Sequence, residues 1–396
     1  VKAFDLRAAR AALAEEGLDG WLFYFFQDND PIARRVLGVP PGKFFTRRWF
    51  YLVPRRGAPV KVVHRIEPDA LDFLPGGRRE YLSHLELRSV LASVLRGRRR
   101  VAMQYSSGNA LPYISRVDAG TVESVRACGA RVVTSADLVQ RLEAPLTAAQ
   151  ARQHFRTAGH LRDIVFGAFG FVRDRVLGGR PVREHDVQRH IAAAYARRGL
   201  VSNSPPIVAV NRHSASPHYV PTLKTSAPVR RGDWLLLDIW AKPRGPDAVY
   251  ADITWCGSVG HRVPSRYENI FQIVRGARDA ALALVRREAE RGRSPRGWEV
   301  DRAARGYIER KGYGKYFIHR TGHSIGTEDH ANGANLDGLE TRETRRLLPH
   351  TLFSIEPGIY LKEFGVRSEI DVYLDGRRAV VSGGPAQERV VPILAR

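Results

Sequence analysis

Four carboxylates in this chain stand inside apolar runs, where an unpaired charge is expensive to keep. They are Asp238 in "LLLDIW", Asp252 in "YADITW", Glu356 in "SIEPGIY" and Glu369 in "GVRSEID". The first two flank "PRGPD", whose prolines and glycine make a loop, and a hairpin centred near Gly245 sets Asp238 opposite Asp252 and Trp240 opposite Tyr250. Side chains opposed in this way share a sheet face with Cβ atoms roughly 4.5 to 5.5 Å apart, and like charges so placed repel. A divalent cation between them relieves the repulsion; the competing reading makes one aspartate a loop cap and changes the register. A second hairpin, centred between Lys362 and Glu363, sets Glu356 opposite Glu369, with Pro357 and Gly358 interrupting the ladder where a bulge is expected. Four carboxylates need about two divalent ions to approach neutrality, so the charge count favours a dinuclear site.

The segment "FIHRTGHSIGTEDH", residues 317–330, is too polar for a core strand and too rich in glycine for a helix. Its His323 lies between Gly322 and Gly326, where backbone can approach a metal closely and an imidazole can join the carboxylates. His319 and His323 are four residues apart, but no HExxH pattern supports a helical zinc motif. Cys128 and Cys256 stand alone, without CxxC spacing, so a metal here takes N and O ligands, and the chain fits a reducing cytoplasm.

These residues need elements to hold them. At 396 residues and 43% hydrophobic the chain can bury a full core, and length suggests two domains. A seam in composition falls at residues 142–150, "LEAPLTAAQ". Before it, "GWLFYFF", "WFYLV" and "VKVVH" alternate with helical segments such as "LRSVLASVL", the pattern of an α/β domain. After it come amphipathic helices over about 148–177, around "EHDVQRHIAAAYARRG", and from Ser265, where Glu268 three residues on suggests a capping box. The N-terminus reads as an amphipathic helix, not a signal peptide, and no run approaches the roughly 20 apolar residues of a membrane span. The formal charge of +22 is spread as arginine through every segment, with "RGRRR" the one dense run, so a solvated surface is the better reading than a nucleic-acid face.

In their order and settings, Asp238, Asp252, His323, Glu356 and Glu369 resemble the ligand set of the pita-bread metallopeptidases, in the Xaa-Pro dipeptidase (prolidase) and aminopeptidase P branch. The resemblance implies an α+β chain: a creatinase-like N-terminal domain over residues 1–145 and a pita-bread catalytic domain over 146–396. It implies two divalent ions, Mn2+ first and Co2+ or Zn2+ as alternatives, bridged by Asp252 and Glu369, with Asp238 on one ion and His323 and Glu356 on the other. Glu356 then serves as general base, while His218 of "NRHSASPHY" and His330, seven past His323, stabilise the oxyanion; Ala331 departs from the His-Glu pair usual at that place. Arg342 and Arg367 are candidates for holding a substrate carboxylate, against the reading that both are surface or supporting arginines. The implied activity is hydrolysis of the Xaa-Pro bond in dipeptides, or alternatively in longer peptides, by a cytoplasmic homodimer. The rival classes are a metal-dependent lyase and a pita-bread binding module.

Overall fold

The structure is a computed structural model that describes residues 3–395. It divides into two compact units between Glu143 and Ala144. In the first, the apolar runs form a six-stranded sheet in the order Gly77–Tyr81, Val60–His64, Trp49–Pro54, Gly20–Phe25, Arg100–Met103, Arg131–Thr134. The sheet is mixed: Gly20–Phe25 runs antiparallel to Trp49–Pro54 and parallel to Arg100–Met103. Gly20–Phe25 is buried throughout because alternate residues enter two cores, Trp21, Phe23 and Phe25 in one and Leu22 and Tyr24 in the other. Burial on both faces explains an unbroken apolar run where a half-exposed strand would alternate.

The second unit carries four long helices, Ala148–Leu177, Glu184–Arg197, Ser265–Glu290 and Gly297–Arg310. The hairpin of Trp234–Pro243 and Ala251–Ser258 lies between the two pairs. Leu235, Leu237 and Ile239 pack with Leu161, Val165 and Ile191 of the first pair, whereas Trp234, Leu236 and Cys256 pack with Phe271, Val274 and Val300 of the second. A capping box does occur in this unit, at Thr147 and Gln150 opening the first long helix. The one expected at Ser265 does not form. Pro264 occupies the cap position, and Glu268 instead accepts from Gln272 Nε2 (2.7 Å) and from Val390 N (3.2 Å). No helix among the described residues is long and apolar enough to cross a membrane.

The aspartate hairpin differs from expectation by two residues: Asp238 pairs with Thr254, and Asp252 with Trp240. The cause is the connection 244–250, whose Tyr250 leaves the ladder and donates its N–H to Gly326 O (2.9 Å). A shift of two preserves parity, so the aspartates still share one face, diagonally and not in direct opposition. The glutamate hairpin holds its expected register. Ile355 pairs with Ile370 and Gly358 with Arg367, which leaves Glu356 facing Glu369 with no bulge at Pro357. The ladder opens at this pair because Glu356 N donates to Thr321 O (2.7 Å) and Glu369 N to Thr254 O (3.5 Å).

Two glycines give opposite expectations. A Cβ on Gly322 would lie 2.1 Å from Ser354 O, whereas one on Gly167, exposed on the long helix, would meet nothing within 4 Å. Gly322→Ala should lower the melting temperature, at a cost of about 1–3 kcal/mol or more, and Gly167→Ala should raise it, gaining about 0.5–1 kcal/mol of helix propensity. Thermal melts followed by circular dichroism check both.

Candidate metal centre

Three segments converge on the shared face of the aspartate hairpin. The histidine loop is held from two sides. Asp301, buried on helix Gly297–Arg310 and paired with Arg305 (2.9 Å), accepts from Thr321 Oγ1 (2.7 Å) and Thr321 N (3.0 Å). Beyond it, His323 N donates to Ser354 Oγ (2.9 Å) and Ser354 N donates back to His323 O (2.9 Å), so Gly322 must lie flat against Ser354. The His323 Nδ1–H points at Ser324 O (3.3 Å), which leaves the Nε2 lone pair facing Glu356 Oε1 at 3.3 Å and Asp252 Oδ2 at 3.7 Å.

Three overlapping triads result, each with ligand atoms within 4.8 Å of one another: Asp238, Asp252 and Glu369; His323, Glu356 and Glu369; and Asp252, His323 and Asp329. Asp238, Asp252, His323 and Glu369 are all buried. Burial first, and then repulsion among the carboxylates, raises Asp252 and Glu369 well above the usual carboxylate range. Burial pushes Glu356 up to about 7 against the opposing field of Arg367. Asp252 Oδ1 and Glu369 Oε1 are buried without a hydrogen-bond partner. Buried unpaired oxygens of this kind, beside one imidazole whose lone pair faces them, fit divalent cations.

Asp238 is satisfied differently. The buried Arg367 guanidinium pairs with it through Nη2, while Nε donates to Thr254 Oγ1 (3.0 Å) and Nη1 to Tyr360 OH (2.9 Å) and Pro217 O (3.4 Å). Tyr360 OH in turn donates to His319 Nε2 (2.8 Å), and His319 Nδ1 donates to Arg320 O (2.7 Å). That relay needs a neutral imidazole, and burial does push His319 down to about 3. Arg367 therefore holds Asp238 in place. Its donors are spent inside the protein, which corrects the expectation that it binds a substrate carboxylate. Arg342 is exposed and lies over the Trp298 ring at 5.2 Å, a cation–π contact with the start of helix Gly297–Arg310.

His330 sits with its ring 4.2 Å from that of His323, its side chain 62% exposed and so open to a ligand. His218 is exposed beside Pro217, whose carbonyl reaches Arg367. Its loop is gathered by Glu184, a fully buried carboxylate that accepts from Val210 N (2.7 Å), His213 Nδ1 (2.9 Å), Tyr219 OH (2.8 Å) and Ala227 N (2.6 Å). Sequence reasoning passed over Thr254, Tyr360, Glu184, Asp301 and Asp329. Only Thr254 carried a signal, two residues past Asp252 and hence on the same face; its hydroxyl lies 2.8 Å from Glu369 Oε2 and 3.1 Å from Asp238 Oδ1.

Residues 153–375 match the profile of metallopeptidase family M24. A probable dipeptidase, PepE, of Mycobacterium tuberculosis (strain ATCC 25618 / H37Rv) is 28% identical over 406 residues, covering 99% of this chain and 97% of its own. An Xaa-Pro dipeptidase of Lactobacillus helveticus is 34% identical over 165 residues, 41% of this chain and 40% of its own. The chain spans less than half the length of that relative, and the same holds for peptidases of Bacillus subtilis and Schizosaccharomyces pombe that it matches. The crystal structure of the dipeptidase PepE from Mycobacterium ulcerans superposes with a TM-score of 0.71 at 23% identity, over 99% of this chain and 100% of that one, a likeness of fold. The profile takes in more than half of the chain and every residue of the three triads: the chain belongs to metallopeptidase family M24.

Proposed function

We propose that this chain is a dinuclear metal-dependent peptidase that hydrolyses the Xaa-Pro bond, with dipeptides as its main substrates. The observation that carries the reading is the overlap of two triads at Glu369, one completed by Asp238 and Asp252 and the other by His323 and Glu356. Residues shared between adjacent clusters are what two neighbouring cation positions would require. Asp252, which also groups with His323, is the second shared residue. The substrate class rests on relatives named as an Xaa-Pro dipeptidase and a probable dipeptidase.

Divalent ions held there supply a hydroxide-like nucleophile near neutral pH and polarise the scissile carbonyl. Glu356 is placed to move the proton. Its Oε1 accepts from Ser354 Oγ (3.1 Å) and its Oε2 lies 3.8 Å from Arg367 Nε, which holds the carboxylate where it can take a proton and return it to the leaving nitrogen. His218 and His330, exposed beside the buried cluster, offer N–H donors to the developing oxyanion. Arg367 orients Asp238 and takes no part in proton transfer.

Protein stripped of metal should hydrolyse Ala-Pro only after Mn2+, Co2+ or Zn2+ is restored, with two ions per chain by elemental analysis. An Ala-Pro-Ala tripeptide assayed alongside decides the size preference, and faster cleavage of the tripeptide would move the assignment to an aminopeptidase. Inactivity on both with two ions bound would reject the Xaa-Pro reading. Glu356→Gln should lower kcat roughly a hundredfold or more, with a smaller change in KM.

The cluster also sets a pH dependence for the metal-free protein. The folded pKa of Glu356, about 7, lies above its ordinary value of 4.5, so the folded chain holds a proton that the unfolded chain has released. The stability this provides is present below about pH 4.5 and is lost as pH rises through about 7. Buried histidines held neutral act in the opposite sense, so the Glu356 contribution is read by difference: from pH 5.5 to pH 8 the apo wild type should lose more melting temperature than apo Glu356→Gln, and Mn2+ should stabilise the wild type more at pH 8. Melts with and without chelator at the two pH values provide the check.

A further inference from the structure

Asp329 is a carboxylate that the site described so far leaves without a task. It is 9% exposed, and its ligand atom lies within 4.8 Å of those of Asp252 and His323. Its Oδ2 lies 3.9 Å from His330 Nε2, and its Oδ1 is buried with no hydrogen-bond partner. Loop aspartates elsewhere in this unit behave otherwise. Asp337, fully buried, accepts from the N–H groups of Leu339, Glu340 and Thr341, and Asp301 is saturated by Thr321 and Arg305. Asp329 caps nothing. Asp252, Glu369 and Asp371 also carry a buried unpaired oxygen, but Asp371 joins none of the triads among the described residues, whereas Asp329 groups with Asp252 and His323.

We propose that Asp329 is a further ligand to the divalent cation on the His323 side of the centre, supplied by the same loop six residues on. The inference rests on the dinuclear reading. An added anionic oxygen makes that position harder and favours an ion such as Mn2+, which accepts more oxygen donors than tetrahedral Zn2+.

The test is calorimetric titration of Mn2+ into metal-stripped wild type, Asp329→Asn and Asp329→Glu, together with melting temperatures of each apo-protein. Wild type should take up two ions. Asp329→Asn should hold one as tightly as wild type and the other with Kd raised about tenfold or more, Asp329→Glu should recover part of that loss, and apo Asp329→Asn should melt at or above apo wild type because an unpaired buried charge is gone. Both Kd values within about twofold of wild type in Asp329→Asn would overturn the assignment, and a raised KM for Ala-Pro beside unchanged Mn2+ binding would move Asp329 to recognition of the substrate ammonium. If Asp329→Asn does not fold, Asp329→Ala serves the same comparison. A wild type that binds a single ion fails the dinuclear reading by itself, and the variant Kd at that one position still decides for or against Asp329.

Discussion

Carboxylates crowded into an apolar interior against the buried Arg367 guanidinium are the condition around which the second unit is organised. Taking one charge out of water costs several kcal/mol even after relaxation, and here Asp238, Asp252 and Glu369 are buried together. Each is restrained before any cation arrives: Asp238 by Arg367, Glu369 by the Thr254 hydroxyl, and the Asp252 backbone by Asp371 Oδ2 at 2.8 Å. What these contacts leave unsatisfied is the set of oxygens turned toward a common space. The surrounding polar side chains serve mainly to fix where that space lies. Arg367 would swing if Tyr360 and His319 did not hold its far edge, and the histidine loop would lift without Asp301.

This division between binding atoms and holding atoms explains what was legible in the chain. The clustered carboxylates were legible because a carboxylate in an apolar strand is conspicuous and strand parity assigns it a face. Their pairing was less so. The aspartate register moved by two because Tyr250 bonds to Gly326, a residue from a loop that no local pattern connects to it. The glutamate register held although Pro357 suggested a bulge, since the rungs lost there were ones the hairpin does not use. Parity also placed Arg367 on the ligand face correctly, yet said nothing about its partner. An arginine beside buried carboxylates is claimed by them before a substrate can reach it. Arg342 was placed by analogy alone, and its neighbour Trp298 is 44 residues away in the chain.

The supporting residues were illegible for a common reason. Glu184, Asp301 and Asp329 each stand in ordinary polar surroundings, and only the fold turns those surroundings inward. Glu184 begins a helix, as acidic residues often do, but bonds to a loop that runs from Val210 to Ala227. In the first unit the apolar runs sufficed, because strands buried on both faces announce themselves by composition.

The opening of the glutamate ladder has a consequence for inheritance. The joints that tie the Glu356 strand to the histidine loop and the Glu369 strand to the aspartate hairpin are made by main-chain N–H and C=O groups, which every residue except proline can supply. A descendant could exchange both glutamates for other side chains and keep the same four-way junction. Shape and chemistry are thus encoded on different atoms of the same residues, so the architecture can be passed on after its metals are lost.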